Sequence, residues 1–306
     1  MIADTRAGAA RLSRRRVDGV LLLDKPTGLT SNAALQRAKR LYRAEKAGHT
    51  GTLDPLASGL LPLCFGDATK FAQALLDGRK EYVATIRFGI ATSTGDAEGE
   101  TIVTRPATFS RADLEAALPR FVGQIRQVPP RHAALKHEGR AYYQYAREGI
   151  EIPRHPRDVD VGAIKILGFM PPTIALRVEC GKGTYIRVLA EDLGEALGTC
   201  AHLAGLRRTA SGSFALDQAV MLERLEAMDD PAARDALLLP ADSLLAQMPR
   251  LDVDPQDAKA LMQGRVVVVA RSAAHGRFRC YGAEGFVGVV EIAGDEMRAV
   301  RLARTD

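Results

Sequence analysis

The sequence predicts an α+β protein with one large N-terminal domain and a small all-β module at the C-terminal end. Over residues 17–248, strand-like and helix-like segments are mixed without the regular strand–helix–strand alternation of a parallel, doubly wound sheet. Over residues 249–306, brief apolar runs are separated by glycine and charge, which is typical of a small barrel. A chain of 306 residues, 46% of them hydrophobic, can bury a large core without disulfides.

Local composition predicts the first elements of the chain. Residues 1–16 are rich in arginine and alanine and poor in apolar side chains, so we expect a disordered basic tail. Residues 17–23 form a short apolar strand, and residues 25–28 contain the proline and glycine of a turn. We expect Ser31 to cap a basic helix that ends near residue 43.

Periodicity predicts the later elements of the large domain. Residues 80–89 alternate between apolar and polar, which puts Tyr82 on the same strand face as three apolar side chains. Ser110 and Asp113 have the spacing of a helix capping box. The other expected elements are helices at 68–76, at 140–148 and from residue 184 onward, and a strand at 174–180.

The C-terminal module, residues 249–306, has its own pattern. We expect a short helix within residues 251–263, followed by strands. The predicted strands lie at 266–270, 277–281, 285–292 and 298–302.

Basic charge is concentrated at the start of the chain. Residues 1–50 contain eleven Lys or Arg and four acidic residues, a net charge of +7, whereas the remaining 256 residues carry −2. Such a concentration fits a polyanionic partner such as nucleic acid. Solvated helix faces and a loose tail would give the same composition, so charge alone leaves both interpretations open.

Cysteine usage and hydropathy suggest a cytoplasmic protein. Neither a C-x-x-C pair nor zinc-ligand spacing occurs among the four cysteines, so we expect buried free thiols in a reducing compartment. The arginines before residues 20–23 mimic the start of a signal peptide, but that apolar run is too short. No run approaches the ~20 apolar residues of a membrane helix.

The most informative segment is the run GHTGTLDPLASG at residues 48–59, which has the composition of a loop with chemistry. Its glycines permit positive φ and close backbone approach. Asp54 precedes Pro55, which biases its backbone toward an extended conformation and would hold the carboxylate out on the loop. The alternative is an Asx turn in which Asp54 only satisfies nearby N–H groups.

This run resembles, almost residue for residue, the catalytic motif of the TruB family of tRNA pseudouridine synthases. Further segments that resemble family motifs occur in the family's order, and the C-terminal module is similar to its PUA-like RNA-binding domain. Such a set of matches is far more specific than one short pattern. The further segments are LDKPTG at 23–28, KEY at 80–82, KGTYIR at 182–187 and LRR at 206–208.

The resemblance implies a fold, an activity and a partner. The fold would be that of pseudouridine synthases, a mixed and largely antiparallel sheet flanked by helices. The activity would be isomerisation of uridine 55 in the tRNA T-loop, with the base flipped out of the loop and with no metal or organic cofactor. The partner would be the T-stem-loop of tRNA, without DNA or membrane, and the enzyme would be a monomer.

The resemblance also assigns a catalytic set. Asp54 would be the nucleophile or base, and Arg187 would be the cation that keeps it ionised by offsetting the cost of desolvation. Tyr82 would stack on the flipped base. On the sequence pattern alone, Arg187 could equally be a surface helix residue and Tyr82 a core residue.

Four further residues complete the implied site. Tyr185 and Leu206 would line the uracil pocket, although both could be ordinary packing residues. His49 would enter the RNA loop where the base leaves it, and Lys25 would support the active loop. The chain departs from the family pattern at His132 and Ala133, where the family usually has an aromatic residue and a serine.

Two competing interpretations remain. An RNA-binding or RNA-folding protein without catalysis would account for the basic charge and the C-terminal module. A hydrolase using Asp54 as nucleophile would need a second carboxylate, and none stands at convincing spacing in the sequence.

Overall fold

The computed structural model describes residues 13–269 and 275–303. The predicted tail therefore lies mostly outside the described residues, at 1–12, as does the end of the strand expected at 266–270. Arg15 is ordered, however, because it forms a bridge with Ala44 and an ion pair with Asp235. The last four residues assigned to the disordered tail are thus part of the folded domain.

The large domain is built on one mixed sheet, as expected. Ten strands join it within the described residues, and its main path runs β14-β1-β3-β12-β4-β11-β10-β7. All of its pairings are antiparallel except β1 with β14 and β3 with β12. In chain order the strands of this domain are β1 (Gly19–Lys25), β2 (Ala47–His49), β3 (Ala57–Phe65), β4 (Lys80–Phe88), β5 (Ile90–Thr92), β6 (Thr101–Thr104), β7 (Gly123–Gln127), β8 (Lys136–His137), β9 (Arg140–Ala141), β10 (Arg157–Met170), β11 (Thr173–Cys180), β12 (Ala201–Ser211), β13 (Phe214–Ala215) and β14 (Val220–Met221).

Helices flank this sheet and close two cores. One core packs helix α1 (Ser31–Leu41) against β1 and β3, and the other packs helix α5 (Ile186–Ala196) against β4 and β11. Tyr82 and Leu206 are half-buried and contact both cores, so they lie where the two meet. In chain order the helices of this domain are α1 (Ser31–Leu41), α2 (Ala72–Asp77), α3 (Arg111–Ala117), α4 (Tyr142–Arg147), α5 (Ile186–Ala196), α6 (Leu222–Glu226) and α7 (Pro231–Asp235).

The C-terminal module is a five-stranded sheet with one helix. It contains β15 (Arg250–Asp252), α8 (Pro255–Met262), β16 (Val267–Val268), β17 (Gly276–Gly282), β18 (Gly285–Ala293) and β19 (Glu296–Leu302). The strand order is β15-β17-β18-β19-β16, so β15 and β16 are its two ends. Among the described residues these ends do not pair, and the module is a PUA-like half-barrel rather than a closed barrel.

The half-barrel packs directly on the large domain. Phe286 meets Phe71 with ring centroids 5.3 Å apart, and Val289 lies in the same apolar cluster as Leu75. The Tyr281 hydroxyl donates to Asp242 Oδ2 at 2.5 Å. The two parts therefore share a continuous apolar contact.

Several local expectations are confirmed and others are wrong. The capping box of Ser110 and Asp113 is present. Ser31 is not the cap of α1, because Thr30 has the extended backbone of a cap and accepts from Ala33 N at 3.0 Å. Of the four cysteines, Cys200 is half-buried rather than buried.

Two observations bear on membranes and metals. Across residues 13–269 and 275–303, no helix combines the length and the apolar character needed to span a bilayer. The same residues contain no cluster of three or more His, Cys, Asp or Glu that could hold a metal ion.

Candidate active site

The loop that carries Asp54 spans residues 50–56, because residues 57–59 of the predicted loop belong to β3. Ser31 holds it from below: its Oγ accepts from Leu53 N at 2.7 Å and donates to Leu53 O at 3.0 Å. At the start of the loop, Thr50 N donates to Pro62 O at 3.1 Å. Ser31 therefore does not cap α1, because its hydroxyl bonds to the backbone of Leu53 in this loop.

The turn after β1 braces the other side of the loop. Gly28 N donates to Pro55 O at 2.8 Å. Lys25 is fully buried, and its Nζ donates to Pro26 O at 2.8 Å and to Leu29 O at 2.6 Å. Burial lowers the pKa of Lys25 to about 8. Lys25 therefore lies beneath the loop and fixes the turn that contacts it.

Asp54 is paired with Arg187, the second residue of α5. Arg187 Nη2 is 3.1 Å from Asp54 Oδ2, and the arginine side chain is 5% exposed whereas that of Asp54 is 40% exposed. The guanidinium also donates to His132 O at 2.9 Å and to Thr94 O at 3.2 Å. Because these carbonyls fix its plane, Arg187 is a rigid cation beside an accessible carboxylate.

Asp96 is a second carboxylate on Arg187, and the sequence analysis missed it. Its Oδ2 is 3.6 Å from Arg187 Nη1, and its side chain is 5% exposed. Asp96 Oδ1 accepts from Thr94 Oγ1 at 2.6 Å and from Glu98 N at 3.1 Å. A segment of Thr, Gly and Asp looks like any polar turn, so no sequence signal linked residue 96 to residue 187.

The pKa of Asp54 is raised above its ordinary value. Burial of the carboxylate is the largest cause, Arg187 opposes it, and the negative charge of Asp96 raises the pKa further. Arg187 thus lowers the pKa of Asp54 without cancelling the effect of burial.

Five of the implied residues line one pocket of about 300 Å³. Asp54 and Arg187 contribute charged groups to its lining, and Tyr82, Tyr185 and Leu206 contribute aromatic and aliphatic surface. Further cations, among them Lys80 and Arg208, also line it. The Tyr82 ring is half-buried, which is intermediate between the core residue and the exposed residue that the sequence allowed. This first pocket therefore pairs a charged corner with aromatic and aliphatic walls.

Arg208 is the strand neighbour of Tyr82. The two residues are partners in the β4–β12 register, and the positive charge of Arg208 opposes the rise that burial causes in the pKa of Tyr82. Arg208 is 1% exposed, and its guanidinium donates to Leu60 O at 2.6 Å and to Gly51 O at 3.3 Å. It thereby ties the Asp54 loop to β3, although only Leu206 of the LRR segment had been singled out.

Gln127 positions the start of α5. Its Oε1 accepts from Tyr185 N at 2.9 Å and its Nε2 donates to Tyr185 O at 3.3 Å. Gln127 is 2% exposed and lies at the end of β7. Since Arg187 is two residues from Tyr185, this amide sets the place where the cation enters the site.

A second pocket of about 600 Å³ adjoins the first and shares the Asp54–Arg187 wall. His49 lines this second pocket and not the first. Its Nδ1 is buried without a hydrogen-bond partner among the described residues, and burial lowers its pKa. His132 lines both pockets, so the departure from the family pattern falls at their junction.

Solved structures with the same architecture define the class. A structure described as a Cbf5–Nop10–Gar1 complex matches with a TM-score of 0.69 and 25% identity, over 94% of this chain and 84% of that chain. An archaeal box H/ACA sRNP Nop10–Cbf5 complex matches with a TM-score of 0.68 and 26% identity, over 94% and 85%. The fold is that of a pseudouridine synthase.

Sequence comparison gives the family. The model of the TruB family pseudouridylate synthase N-terminal domain matches residues 39–186, and two TruB C-terminal models match 187–246 and 249–302. Relatives called tRNA pseudouridine synthase B include one from Thiobacillus denitrificans, 53% identical over 96% of this chain and 98% of the relative. Another, from Cupriavidus pinatubonensis, is 57% identical over 83% and 82%. The chain belongs to the TruB family of tRNA pseudouridine synthases, which are isomerases.

Proposed function

We propose that this isomerase converts uridine 55 in the T-loop of tRNA to pseudouridine, with Asp54 as the catalytic carboxylate and without a cofactor. The observation that carries the proposal is the 3.1 Å contact of Asp54 with Arg187 on the wall shared by two pockets. There a charged oxygen can meet the sugar of a nucleotide whose base occupies the first pocket while its RNA loop remains in the second.

The reaction needs an ionised carboxylate and little else. The bond from N1 to C1′ breaks, the base turns, and a bond from C5 to C1′ forms, while C5 loses a proton and N1 gains one. Electrons and atoms balance within the nucleotide. Asp54 serves as the nucleophile at C1′ or as the base toward the sugar, and both roles require the deprotonated form. Arg187, held by two carbonyls, stabilises that form.

The first pocket would hold the flipped uracil. A base inside a folded loop must be extruded to be reached. The ring of Tyr82 offers a stacking surface, and Leu206 and Tyr185 supply flanking contacts. At about 300 Å³ the pocket lies at the small end of the range for small-ligand sites, which suits one base.

The second pocket would hold the rest of the T-loop. His49 would occupy the space that the flipped base leaves, and Lys136 and Arg147 on the pocket wall would contact phosphates. The half-barrel would add RNA contacts outside the catalytic domain. We further propose that the enzyme acts as a monomer in the cytoplasm, where tRNA is modified.

Tritium release from tRNA that carries 5-tritiated uridine tests the proposal, because only loss of the C5 hydrogen frees the label. We expect release by the wild-type chain and none from tRNA in which uridine 55 is replaced by cytidine. Asp54→Asn should bind tRNA but lose at least a thousandfold in turnover. Thermal melting should show this variant folded, because the Asp54 side chain is 40% exposed and Arg187 keeps its contacts with His132 O, Thr94 O and Asp96.

The same assay separates the competing interpretations. An RNA-binding protein without catalysis would release no tritium from any tRNA. A hydrolase would release free uracil, which chromatography of the products detects. Equal turnover by the wild-type chain and Asp54→Asn would overturn the assignment of Asp54. Light scattering of the free protein tests the monomer.

A further inference from the structure

The segment that enters the fold before β1 is anchored by Arg15. Its Nη1 is 2.7 Å from Asp235 Oδ2 on α7, and its Nε donates to Tyr42 O at 3.0 Å. The backbone is tied as well, since Arg15 N donates to Arg43 O at 2.8 Å and Glu45 N donates to Arg15 O at 3.2 Å. The segment is therefore held alongside the chain that leaves α1.

Arg43 strengthens this anchor from the opposite side. Its guanidinium donates twice to Ser13 O, at 2.6 and 3.0 Å. Arg43 has a φ of 53°, a backbone conformation uncommon for a residue with a Cβ. A strained turn and a side chain thus serve to hold residues 13–15 at the end of α1.

Besides Arg43, four cations on the segments joined by this anchor have no carboxylate partner among the described residues. We call them the basic ridge: Arg14, Lys39, Arg40 and Lys46. Backbone contacts bring them together around one place, because Lys39 O accepts from Ala44 N and Arg40 O accepts from Arg43 N, both at 3.0 Å. Arg15, next to Arg14, bridges to the same Ala44.

Three other arginines nearby have carboxylate partners. Arg37 lies 3.6 Å from Glu226, Arg15 pairs with Asp235, and Arg16 pairs with Asp18. Unmatched like charges on one part of the surface repel one another and favour the binding of an anion there. The basic ridge is therefore a site for a polyanion rather than part of the internal packing.

The chain path connects the basic ridge to the second pocket at both ends. Helix α1 starts at Ser31, which lines that pocket, and its 11 residues span about 16 Å. Beyond the ridge, the chain returns to the same pocket at His49, about 10 Å from Lys46 along an extended strand. A nucleic-acid duplex carries several phosphates over such a distance.

We propose that the basic ridge, fixed in place by the Arg15–Asp235 anchor, is a second RNA-binding surface that holds phosphates of tRNA outside the T-loop. It rests on tRNA as the substrate and adds a surface that neither pocket contains. Binding there is electrostatic and independent of sequence. Its contribution depends on the anchor, because an ordered cation loses less conformational entropy on binding than one on a free chain end.

Asp235→Asn tests the anchor against net charge. This substitution makes the protein more positive by one, so simple charge attraction predicts tighter tRNA binding. The anchored ridge predicts the opposite, a Kd for unmodified tRNA raised roughly threefold at 0.15 M salt. Asp229→Asn is the matched control, since Asp229 is exposed, lies near α7 and adds the same charge without touching the anchor. If both variants bind equally tightly, the proposal is overturned.

Arg14→Gln with Arg40→Gln tests the ridge itself. We expect the Kd to rise roughly tenfold and the slope of log affinity against log salt to fall by about 2. The control pair is Arg120→Gln with Lys165→Gln; both residues are exposed, and Lys165 lies on β10, four strands from β3 in the sheet. An effect no larger than that of the control pair contradicts the ridge, provided that thermal melting shows all variants folded.

Filter binding measures these affinities without turnover. Tritium release by the wild-type chain reports the proposed function separately. If the wild-type chain fails to release tritium while the ridge variants still weaken binding, the proposed function fails and the second surface stands. If the wild-type chain releases tritium normally and every variant binds tRNA as tightly as the wild type, the second surface fails and the proposed function stands.

Discussion

Arg187 lies 3.1 Å from Asp54, yet the pKa of Asp54 is above that of an ordinary aspartate. Burial raises the pKa more than the guanidinium lowers it, and Asp96 on the other side of the same guanidinium raises it further. One cation is thus shared between two carboxylates. The charged form of Asp54 is consequently less stable than it would be if Arg187 had no second carboxylate beside it.

This sharing predicts how Asp96 affects the pH dependence of catalysis. If Asp54 must be ionised, turnover falls as the pH drops through its raised pKa. Asp96→Asn removes a negative charge, which lowers the pKa of Asp54 and moves the acid limb of the kcat–pH profile to lower pH. We also expect kcat at its plateau to fall about tenfold or more, because Arg187 loses one of the groups that orient it. Single-turnover rates at saturating tRNA between pH 4.5 and 8 measure both effects.

Asp192 provides the control for that experiment. It lies on α5 with Arg187. Burial together with Glu195 raises the pKa of Asp192 to about 6, which lies within the pH range of that experiment. Asp192→Asn should leave the acid limb in place. A limb that follows Asp192 instead, or that moves to higher pH in Asp96→Asn, contradicts the assignment.

More of the fold than of the candidate site could be predicted from the sequence. Alternation, turns and the capping box of Ser110 placed the elements that they predicted within a few residues, because these signals are local. They did not predict the long strands β10 and β12. Loop 50–56 was recognised by its motif. The C-terminal module was expected as a small barrel and is a half-barrel, because closure depends on whether the end strands β15 and β16 pair, and short-range patterns carry no information on that.

The residues that the sequence missed act across long separations. Asp96, Gln127 and Arg208 are buried polar groups whose partners are 91, 58 and 148 residues away. Each belongs to an unremarkable turn or strand, and only the packed sheet brings it to the loop or to α5. A contact between distant residues also explains Ser31. Serine is a common capping residue, but in the assembled site the Ser31 hydroxyl bonds to Leu53, 22 residues along the chain.

Tyr82 gives a prediction that separates catalysis from packing. Tyr82→Leu keeps much of the apolar volume at the meeting point of the two cores, so the free energy of unfolding should fall by no more than about 1.5 kcal/mol. It removes the stacking surface, and we expect kcat/KM to fall at least a hundredfold. Tyr82→Phe retains the ring and should lose much less activity. Urea unfolding beside tritium release measures both, and a stability loss large enough to account for the inactivity would favour the core interpretation.

Gln127 is predicted to act through Tyr185. Gln127→Ala leaves the backbone N–H and carbonyl of Tyr185 without their buried partners, which should cost about 1–3 kcal/mol of unfolding free energy. Because α5 begins there, Arg187 should shift and kcat should fall while the Kd for tRNA changes little. Gln124→Ala, at an exposed position of the same strand, is the control. Equal kcat in the two variants would show that Gln127 does not position the site.

Lys25 predicts a pH dependence of stability. Its pKa is about 8 in the folded chain against 10.5 for an ordinary lysine. Between these values the unfolded chain holds a proton that the folded chain has released, so this group makes stability rise with pH through that window. Lys25→Met removes the titration. The difference in unfolding free energy, wild type minus variant, should therefore grow between pH 8 and 10.5, by on the order of 2 kcal/mol.

The difference between proteins is the quantity to measure, because other groups titrate in the same window. Burial also lowers the pKa of Lys80, and it raises the pKa of the Cys180 thiol to about 11, which acts in the opposite direction. Both contributions are common to the wild type and Lys25→Met and cancel in the subtraction. Lys259→Met, at an exposed position on α8, controls for loss of a lysine. Urea unfolding at several pH values decides the matter: parallel curves for the wild type and Lys25→Met would mean that Lys25 keeps its proton beneath the Asp54 loop throughout.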